Sequence, residues 1–381
     1  MFRTSITLVF ILNLFAPVYS QDCTPRLTLF NGISANITAL DIDGNLVTDD
    51  WGVRVDVTDL IISANSPCGS ALTYGISKNW VPTSNFPETT ELVFNCDELG
   101  PQPVAVYIKD ELGNVAVAET YVLVQGNVNS CDNAHVPHVI KNCTNDVIAP
   151  QLKIINGVVA NIVQTPSGEG RVRVSAGALM LGREENCPGF LRVRIEKLDS
   201  STGAPPTTSY IELDCDEVVI NPIRIWACDP ALNWDYVDTY VIVEDLDGIC
   251  GSQEISTCTP DNTPPAGLVL NGIAKPILPD GTVELNALSF IWRISENCSN
   301  VTSVGISLED LPDPPVGQQS VVLENATPTP YPVFIWYADA DGNWSETVTY
   351  VLLSSSEGFK GAPFYKKPFL NDWWESIPNK K

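Results

Sequence analysis

Two short acidic turns contain the residues whose types and spacing suit metal chemistry best. Both have the sequence Asp-x-Asp-Gly-Asn, with candidate ligands Asp339, Asp341 and Asn343 in one and Asp41, Asp43 and Asn45 in the other. Oxygen ligands two residues apart on a tight glycine turn are how calcium loops begin, but neither turn supplies the distal bidentate glutamate of an EF-hand. The alternative is a plain hairpin turn in which aspartate accepts hydrogen bonds from its own backbone. Asp110 and Asp229, at the position of Asp339 in two related segments, lack the second acid, which favours the plain turn.

Other reactive constellations are weaker. His135 and His138 are the only histidines, and they lie between Cys131 and Cys143, so a zinc site has four candidate ligands there. In a secreted chain, disulfides are the better use of these cysteines. With two histidines and no G-x-S-x-G sequence, an acyl-transfer triad is hard to build. We therefore expect no enzymatic activity and no cofactor beyond calcium.

The amino terminus indicates secretion. Residues 1–20 contain a single basic residue, Arg3, an apolar stretch over 6–15, and compact residues where a signal peptidase would cut. Asn13 and Pro17 leave too few uninterrupted apolar residues for a membrane anchor. Eleven cysteines in a secreted chain predict a disulfide framework.

Cysteine spacing predicts two families of disulfides. In the first, Cys96 and Cys131 are 35 residues apart, as are Cys215 and Cys250. The third copy of the same segment has Asn325 and Lys360 in their places, and joint loss of both partners is what a disulfide predicts. The second family, with less support, pairs Cys23 with Cys68, Cys143 with Cys187, and Cys258 with Cys298. Cys228 is left over as a free thiol, an intermolecular bridge or an alternative partner for Cys187.

The sequence segments that must position these residues occur three times along the chain. The best-preserved segments are 106–115, 225–234 and 335–344, and each runs on to a tyrosine, at 121, 240 and 350. Asn-Gly pairs at 31–32, 156–157 and 271–272 keep the same register and predict the turn after a first strand. A period near 115 residues is the size of a domain, which predicts a string of small domains.

Each copy predicts an immunoglobulin-like β-sandwich. Segments such as Val53-Arg-Val-Asp-Val57 alternate apolar and polar residues, and about seven such segments fill roughly 100 residues of each copy. The fold class is therefore all-β, with three tandem immunoglobulin-like domains stapled by disulfides. We place repeat 1 at 21–131, repeat 2 at 151–250 and repeat 3 at 265–354, with linkers at 132–150 and 251–264 and a tail at 355–381. The alternation puts Trp226, Trp336 and Cys228 on the outer faces of their strands.

Charge narrows the choice of partners. Without the signal, the chain has 20 basic and 46 acidic residues, a net charge of −26. Nucleic acid and anionic membranes both require basic patches, so neither is an expected partner, and we expect no membrane insertion. An extracellular protein, a glycan or further copies of the chain remain.

The segment from Cys96-Asp-Glu-Leu-Gly100 to Cys131, with Val104–Asp110, Gly113-Asn114 and Glu119–Val122 between, resembles the hyalin-like, immunoglobulin-fold repeats of large bacterial surface adhesins. Cys215-Asp-Glu217 through Cys250 looks like the same module, and the resemblance covers about four-fifths of the chain. It implies a fold and an extracellular setting more than a ligand. Such adhesins commonly use a type IX export route with a sandwich-shaped sorting domain, which this sequence does not present, so we expect a short secreted component.

The tail carries the last candidate site. Its aromatic candidates for partner binding are Phe364, Tyr365, Phe369, Trp373 and Trp374. Five lysines and two acids make residues 358–381 basic, with a net charge of +3. Large rings flanked by lysines suit a docking peptide, whereas the alternative is that they fold back on repeat 3. The sequence thus predicts a secreted adhesion or surface-structure protein, or a structural subunit that associates with itself or with a scaffold through its tail.

Overall fold

The computed structural model describes residues 23–41, 50–79, 81–126, 131, 143, 145–165, 167–187, 189–201, 203–218, 220–245, 248–251, 261–295, 301, 303–315, 317–328 and 330–355. The predicted signal peptide, both histidines and the aromatic tail lie outside these ranges.

The regular secondary structure of the described residues is almost entirely β-strand. Repeat 1 contains β1 (Arg26–Phe30), β2 (Ile33–Asn36), β3 (Thr38–Leu40), β4 (Asp50–Asp56), β5 (Ile61–Asn65), β6 (Leu72–Ser77), β7 (Glu91–Asn95), β8 (Gly100–Asp110) and β9 (Val115–Gln125). Repeat 2 contains β10 (Gln151–Ile155), β11 (Val158–Asn161), β12 (Val163–Gln164), β13 (Gly170–Ser175), the one-turn helix α1 (Ala176–Leu179), β14 (Met180–Glu184), β15 (Arg192–Lys197), β16 (Tyr210–Asp214), β17 (Ile220–Cys228) and β18 (Trp234–Glu244). Repeat 3 contains β19 (Ala266–Leu270), β20 (Ile273–Pro276), β21 (Val283–Asn286), β22 (Ile291–Ser295), β23 (Ser303–Ser307), β24 (Ser320–Leu323), β25 (Pro330–Ala338) and β26 (Trp344–Ser354). No helix in these ranges has the length and hydrophobicity to cross a membrane.

Short 3-10 turns connect several of the strands. They cover Val57–Leu60, Thr83–Asn85, Cys96–Glu98, Leu198–Ser200, Cys215–Glu217, Ile249–Gly251 and Ala287–Ser289. Two of them follow equivalent strands, β7 and β16, and each begins with a capping box, in which Asn95 or Asp214 accepts from the backbone and a glutamate three residues later caps in return.

Alternation of residue type places the core as predicted. Val53, Val55 and Val57 are buried, while Arg54 and Asp56 are partly exposed on the other face of β4. The inward positions of β8, β17 and β25 likewise belong to one large apolar cluster. Period-two burial of this kind is what a sheet with a single apolar face produces.

Each repeat contributes four strands to one large sheet and contains a smaller sheet of its own, as in an immunoglobulin-like sandwich. In repeat 1, β2 runs parallel to β9, followed by antiparallel β8 and β6, and a smaller sheet contains β3, β4 and β7. The same order recurs as β11, β18, β17 and β15 in repeat 2, and as β20, β26, β25 and β23 in repeat 3. The all-β, disulfide-bonded fold class predicted from the sequence is confirmed.

The large sheets extend from one repeat into the next, which the sequence did not predict. The large sheet of repeat 1 continues into β10 and β14 of repeat 2, because β2 pairs antiparallel with β10. In the same way β11 pairs with β19 of repeat 3, and β20 pairs with β1 of repeat 1. Ile33–Ile155, Val158–Leu270 and Ile273–Phe30 are equivalent pairs at the three junctions. The same contact joins repeat 1 to repeat 2, repeat 2 to repeat 3, and repeat 3 back to repeat 1. The three repeats therefore form a cyclic, pseudo-threefold ring. The repeats are therefore joined through their sheets as well as through the linkers between them.

The Asn-Gly pairs act differently from the predicted turn. The glycines have positive φ angles of 90°, 93° and 88° at Gly32, Gly157 and Gly272. The two strands that flank each pair do not pair with each other. The backbone bends so that the first strand of each repeat leaves one sheet and joins the other, as β1 pairs with β5 and β2 with β9.

Candidate functional site

A hub of asparagine and tyrosine side chains lies where the three repeats meet. Asn156 of repeat 2 donates through Nδ2 to the hydroxyl of Tyr121 of repeat 1, at 2.5 Å. Asn271 of repeat 3 donates to Tyr240 of repeat 2 at 2.5 Å, and Asn31 of repeat 1 donates to Tyr350 of repeat 3. Each repeat thus receives one bond and gives one, so the side chains repeat the cyclic order of the strands.

The hub is closely packed and buried. A Cβ atom added at Gly157 would lie 2.4 Å from the ring of Tyr240, and Gly32 and Gly272 are equally close to their tyrosines. Burial raises the pKa of Tyr240 to about 12, and it raises the pKa of Tyr121 and Tyr350 as well. The three phenols therefore stay neutral at physiological pH, and the hub serves to hold the repeats together.

Among the described residues, four disulfides match the predicted pairings. Cys96 bonds to Cys131 and Cys215 to Cys250, with Cα atoms 5.5 and 5.4 Å apart. Two further bonds join pairs of the second family, Cys23 with Cys68 and Cys143 with Cys187. Cys258 and Cys298 lie outside the described residues. Cys228 is a free thiol and is fully buried.

The acidic turns are closed by their own hydrogen bonds. Asp339 Oδ1 accepts from the backbone N–H groups of Asp341 and Asn343, both at 2.9 Å, and its Oδ2 accepts from Asn343 Nδ2 at 2.8 Å. Asp110 and Asp229 bind the asparagine four residues later in the same way. This is the geometry of the plain turn. Asp41 is buried, whereas Asp43 and Asn45 lie outside the described residues.

A third group of acids was missed by sequence reasoning. Asp146, Glu185 and Asp229 come from three separate segments, and one carboxylate oxygen of each lies within 4.8 Å of the others. The sequence carried a signal: Asp146 lies three residues after Cys143, and Glu185 two residues before Cys187. The disulfide between those cysteines brings the two acids together.

The outer aromatic side chains are on the predicted face but are covered. Trp226 is only 6% exposed, since it packs on Tyr236 at 4.8 Å between ring centroids and donates to Glu196. Trp336 is 2% exposed and packs on Trp344 at 4.9 Å. Both rings are therefore covered by neighbouring side chains.

Fold and sites together define an all-β protein of immunoglobulin-like, disulfide-bonded sandwiches. The sequence matches no family model and no curated protein. Among solved structures, Sidekick-1 immunoglobulin domains 1–4 are similar at 9% identity, covering 80% of this chain and 71% of that one, with a TM-score of 0.16. Drosophila N-cadherin EC1–4 is similar at 10% identity over 87% of this chain and 75% of that one, with a TM-score of 0.23. The N-terminal four domains of Dscam1 isoform 1.9 are similar at 7% identity over 87% and 100%, with a TM-score of 0.19. Because these values are low, the function proposed below rests on the residues of this chain.

Proposed function

We propose that this protein is a secreted, non-catalytic adhesion or surface-structure protein. Its immunoglobulin-like domains correspond to residues 21–131, 151–250 and 265–354. Its contact surface lies at one end of repeat 2 and binds an extracellular protein.

The observation that carries this proposal is a concentration of exposed apolar side chains. Val147, Phe190 and Leu232 are 57%, 90% and 60% exposed, and only four other large apolar side chains of the described residues are exposed. Soluble proteins seldom leave such groups together without use, and a partner is what covers them.

These three residues belong to neighbouring loops. Val147 and Leu232 line one groove together with Trp51 of repeat 1. The loop that contains Phe190 touches the loop of Leu232, because a Cβ atom added at Gly189 would meet the ring of Pro230 at 2.1 Å. The patch therefore extends from repeat 2 to the edge of repeat 1.

The ring suits a binding role because its framework and its loops differ in character. The hub and strand register are the same in all three repeats, whereas the hairpin tips read Glu-Leu-Gly, Pro-Ala-Leu and Ala-Asp-Gly at 111–113, 230–232 and 340–342. A rigid scaffold with variable loops is the common design of binding proteins.

The test compares two double variants of the full secreted chain. Val147→Ser with Phe190→Ser removes the patch, while Leu288→Ser with Val322→Ser removes exposed apolar groups of repeat 3 as a matched control. Immobilised wild-type chain captures partners from the extracellular fraction of its source, and binding of the purified partner is then measured. We expect the patch variant to weaken binding at least about tenfold, with the melting temperature unchanged, and the control to bind as the wild type. Equal binding by both variants would reject this surface, and binding to glycans alone would reject a protein partner.

The second candidate is a self-associating or scaffold-docked subunit that uses its carboxy-terminal tail. It is favoured by the basic, aromatic composition of residues 358–381 beside a strongly acidic chain. Truncation after residue 355 should then abolish concentration-dependent association in sedimentation measurements and leave melting unchanged. A truncated chain that melts lower yet still associates would indicate that the tail folds back on repeat 3.

A further inference from the structure

Two of the three acids of repeat 2, and an asparagine beside them, have a buried oxygen atom that receives no hydrogen bond from the described residues. Asp146 Oδ2, Glu185 Oε2 and Asn186 Oδ1 are buried, and no described residue donates a hydrogen bond to them. The other carboxylate oxygen of Asp146 is occupied, because Oδ1 accepts from Ile148 N–H at 3.1 Å and from Asn186 Nδ2 at 2.8 Å. Buried oxygens with no donor are costly unless a cation or an ordered water binds them.

The negative charge of these acids also favours a bound cation. Asp146, Glu185 and Asp229 place three carboxylates together, and no described basic side chain forms an ion pair with any of them. Like charges held this closely repel each other until a positive ion lies between them.

Repeat 3 has an independent counterpart. Asp261, at the place of Asp146, is 6% exposed, and its Oδ2 atom receives no hydrogen bond from the described residues. Asn343 Nδ2 donates to the carbonyl of Asp261 at 3.0 Å, as Asn233 donates to that of Asp146 at 3.1 Å. The buried acid of repeat 3 therefore lies against its own hairpin turn in the same way.

Repeat 1 is an internal control, because it keeps the turn without the other acids. Cys23 precedes β1 by only three residues, so the segment that carries Asp146 in repeat 2 is missing. Ser66 stands two residues before Cys68, where Glu185 precedes Cys187. Asp110 nevertheless forms the same bonds to Asn114. The hairpin turn therefore needs neither extra acid, and the two are absent together.

We propose that Asp146, Glu185 and Asp229 bind a divalent cation of the calcium type, with a related site at Asp261 and Asp339 in repeat 3. Two ligands of one calcium ion, at about 2.3–2.6 Å from it, can be no more than about 5 Å apart, and the three carboxylates meet this limit. All ligands are oxygens, since Cys187 is held in a disulfide, which favours a hard cation over zinc. The ion ties the linker before β10, the loop after β14 and the hairpin tip after β17 to one another.

The experiment titrates calcium alone into the metal-free full chain and measures heat, stoichiometry and melting temperature. We expect binding up to millimolar calcium, the range of extracellular modules, with an increase in melting temperature. Glu185→Gln and Asp146→Asn should each weaken one site at least about tenfold or remove one ion from the stoichiometry. Asp110→Asn, the equivalent turn in repeat 1, should bind as many ions as the wild type.

Two results would overturn the inference. One is a wild-type chain that shows neither heat nor a thermal shift at millimolar calcium. The other is calcium binding that stays unchanged in both Glu185→Gln and Asp146→Asn, because the ions would then lie elsewhere. Both variants are close in shape to the wild type, and their melting without calcium reports whether they fold.

Discussion

Leu232 occupies a backbone conformation that suits glycine. Its φ angle is +74°, and the equivalent residues in the other repeats are Gly113 and Gly342, at +87° and +92°. The left-handed region costs a residue with a Cβ atom about 1–2 kcal/mol. Because the side chain is mostly exposed, little burial offsets that cost. Strain kept at an exposed loop is a reason to look for function there.

We predict that Leu232→Gly stabilises the folded protein by up to about 1 kcal/mol, since the relief of strain exceeds the entropy that glycine gains in the unfolded chain. Leu112→Gly is the matched control, because Leu112 is just as exposed but has no positive φ. It should be neutral or mildly destabilising. Urea unfolding measures both, and a destabilised Leu232→Gly would show that the leucine side chain makes contacts worth more than the strain.

Glu244 and Gln125 occupy equivalent places at two junctions but bond differently. Gln125 accepts from the N–H of Asp238 at 2.8 Å and donates to its carbonyl at 2.7 Å. Glu244 only accepts, from Val348 N–H at 3.4 Å. Burial raises the pKa of Glu244 to about 7, although the Val348 N–H opposes this. The stability that Glu244 contributes is thus present below its ordinary value of 4.5 and is lost as the pH rises through about 7.

Glu244→Gln should therefore stabilise the protein by about 1–2 kcal/mol near pH 8 and have little effect near pH 4.5. The new amide can make both bonds that Gln125 makes. The reverse change, Gln125→Glu, should destabilise the protein near pH 8. Chemical unfolding at several pH values tests the pair, and a Gln variant that is less stable throughout would contradict this account of the junction.

At the scale of elements, the sequence predicted what depends on local pattern. Alternation identified the buried face of β4, and cysteine spacing gave pairings that the structure contains. The sequence-based prediction failed where the conformation of an element depends on contacts with another repeat. The Asn-Gly pairs looked like ordinary turns because the tyrosine that packs on each glycine is about 80–90 residues away. Both recur at the same period in all three repeats, and that joint recurrence was the available signal.

The acidic sites also divide into features that the local sequence predicts and features that depend on contacts between separate segments. Period alone identified the turns of Asp229 and Asp339, which are local. Asp146 and Glu185 meet Asp229 only because a disulfide and a hairpin bring three segments together. Acids are so common in this chain that no pair of them could be selected from sequence alone.

Each disulfide that closes a 35-residue loop should stabilise mainly the repeat that contains it. Closing such a loop stabilises by about 3–4 kcal/mol in the chain-entropy model. On mild reduction we expect amide exchange to accelerate more in β8 and β17 than in the equivalent β25, whose repeat has no such bond at these positions. Cys228→Ala, which removes the free thiol, is the control for cysteine loss. Equal acceleration in all three strands would mean that the ring opens as one unit.

At the scale of the whole molecule, the three junctions share a backbone geometry and differ in side chains. Between repeats 1 and 2, buried Lys153 binds Asp59 at 2.6 Å and Glu184 at 2.8 Å. Between repeats 2 and 3, Trp292 donates to the carbonyl of Ala178. A junction with its own polar contacts disfavours exchange of one repeat for another, so the order around the ring is specified.

A circular permutant tests the closed ring. Ser354 on β26 lies beside Pro276 of β20, and β1 pairs with the other edge of that strand. A flexible linker of natural length from residue 355 to residue 23, with new ends in the region 132–142, should give a protein that melts within a few degrees of the wild type. A permutant that fails to fold would indicate that the covalent link between repeats 1 and 2 is needed to form their junction.

No linker connects the two repeats that meet at the junction of β20 with β1. This junction is therefore the place where the ring can open. When it parts, one end of the molecule presents the free edge of β1 and the other the free edge of β20, and each is the other's natural partner. Such a pair of edges can meet again within one molecule or join two molecules head to tail, and repeated joining generates a filament. The balance between a closed monomer and an open polymer would then depend on concentration and on the strength of this single seam.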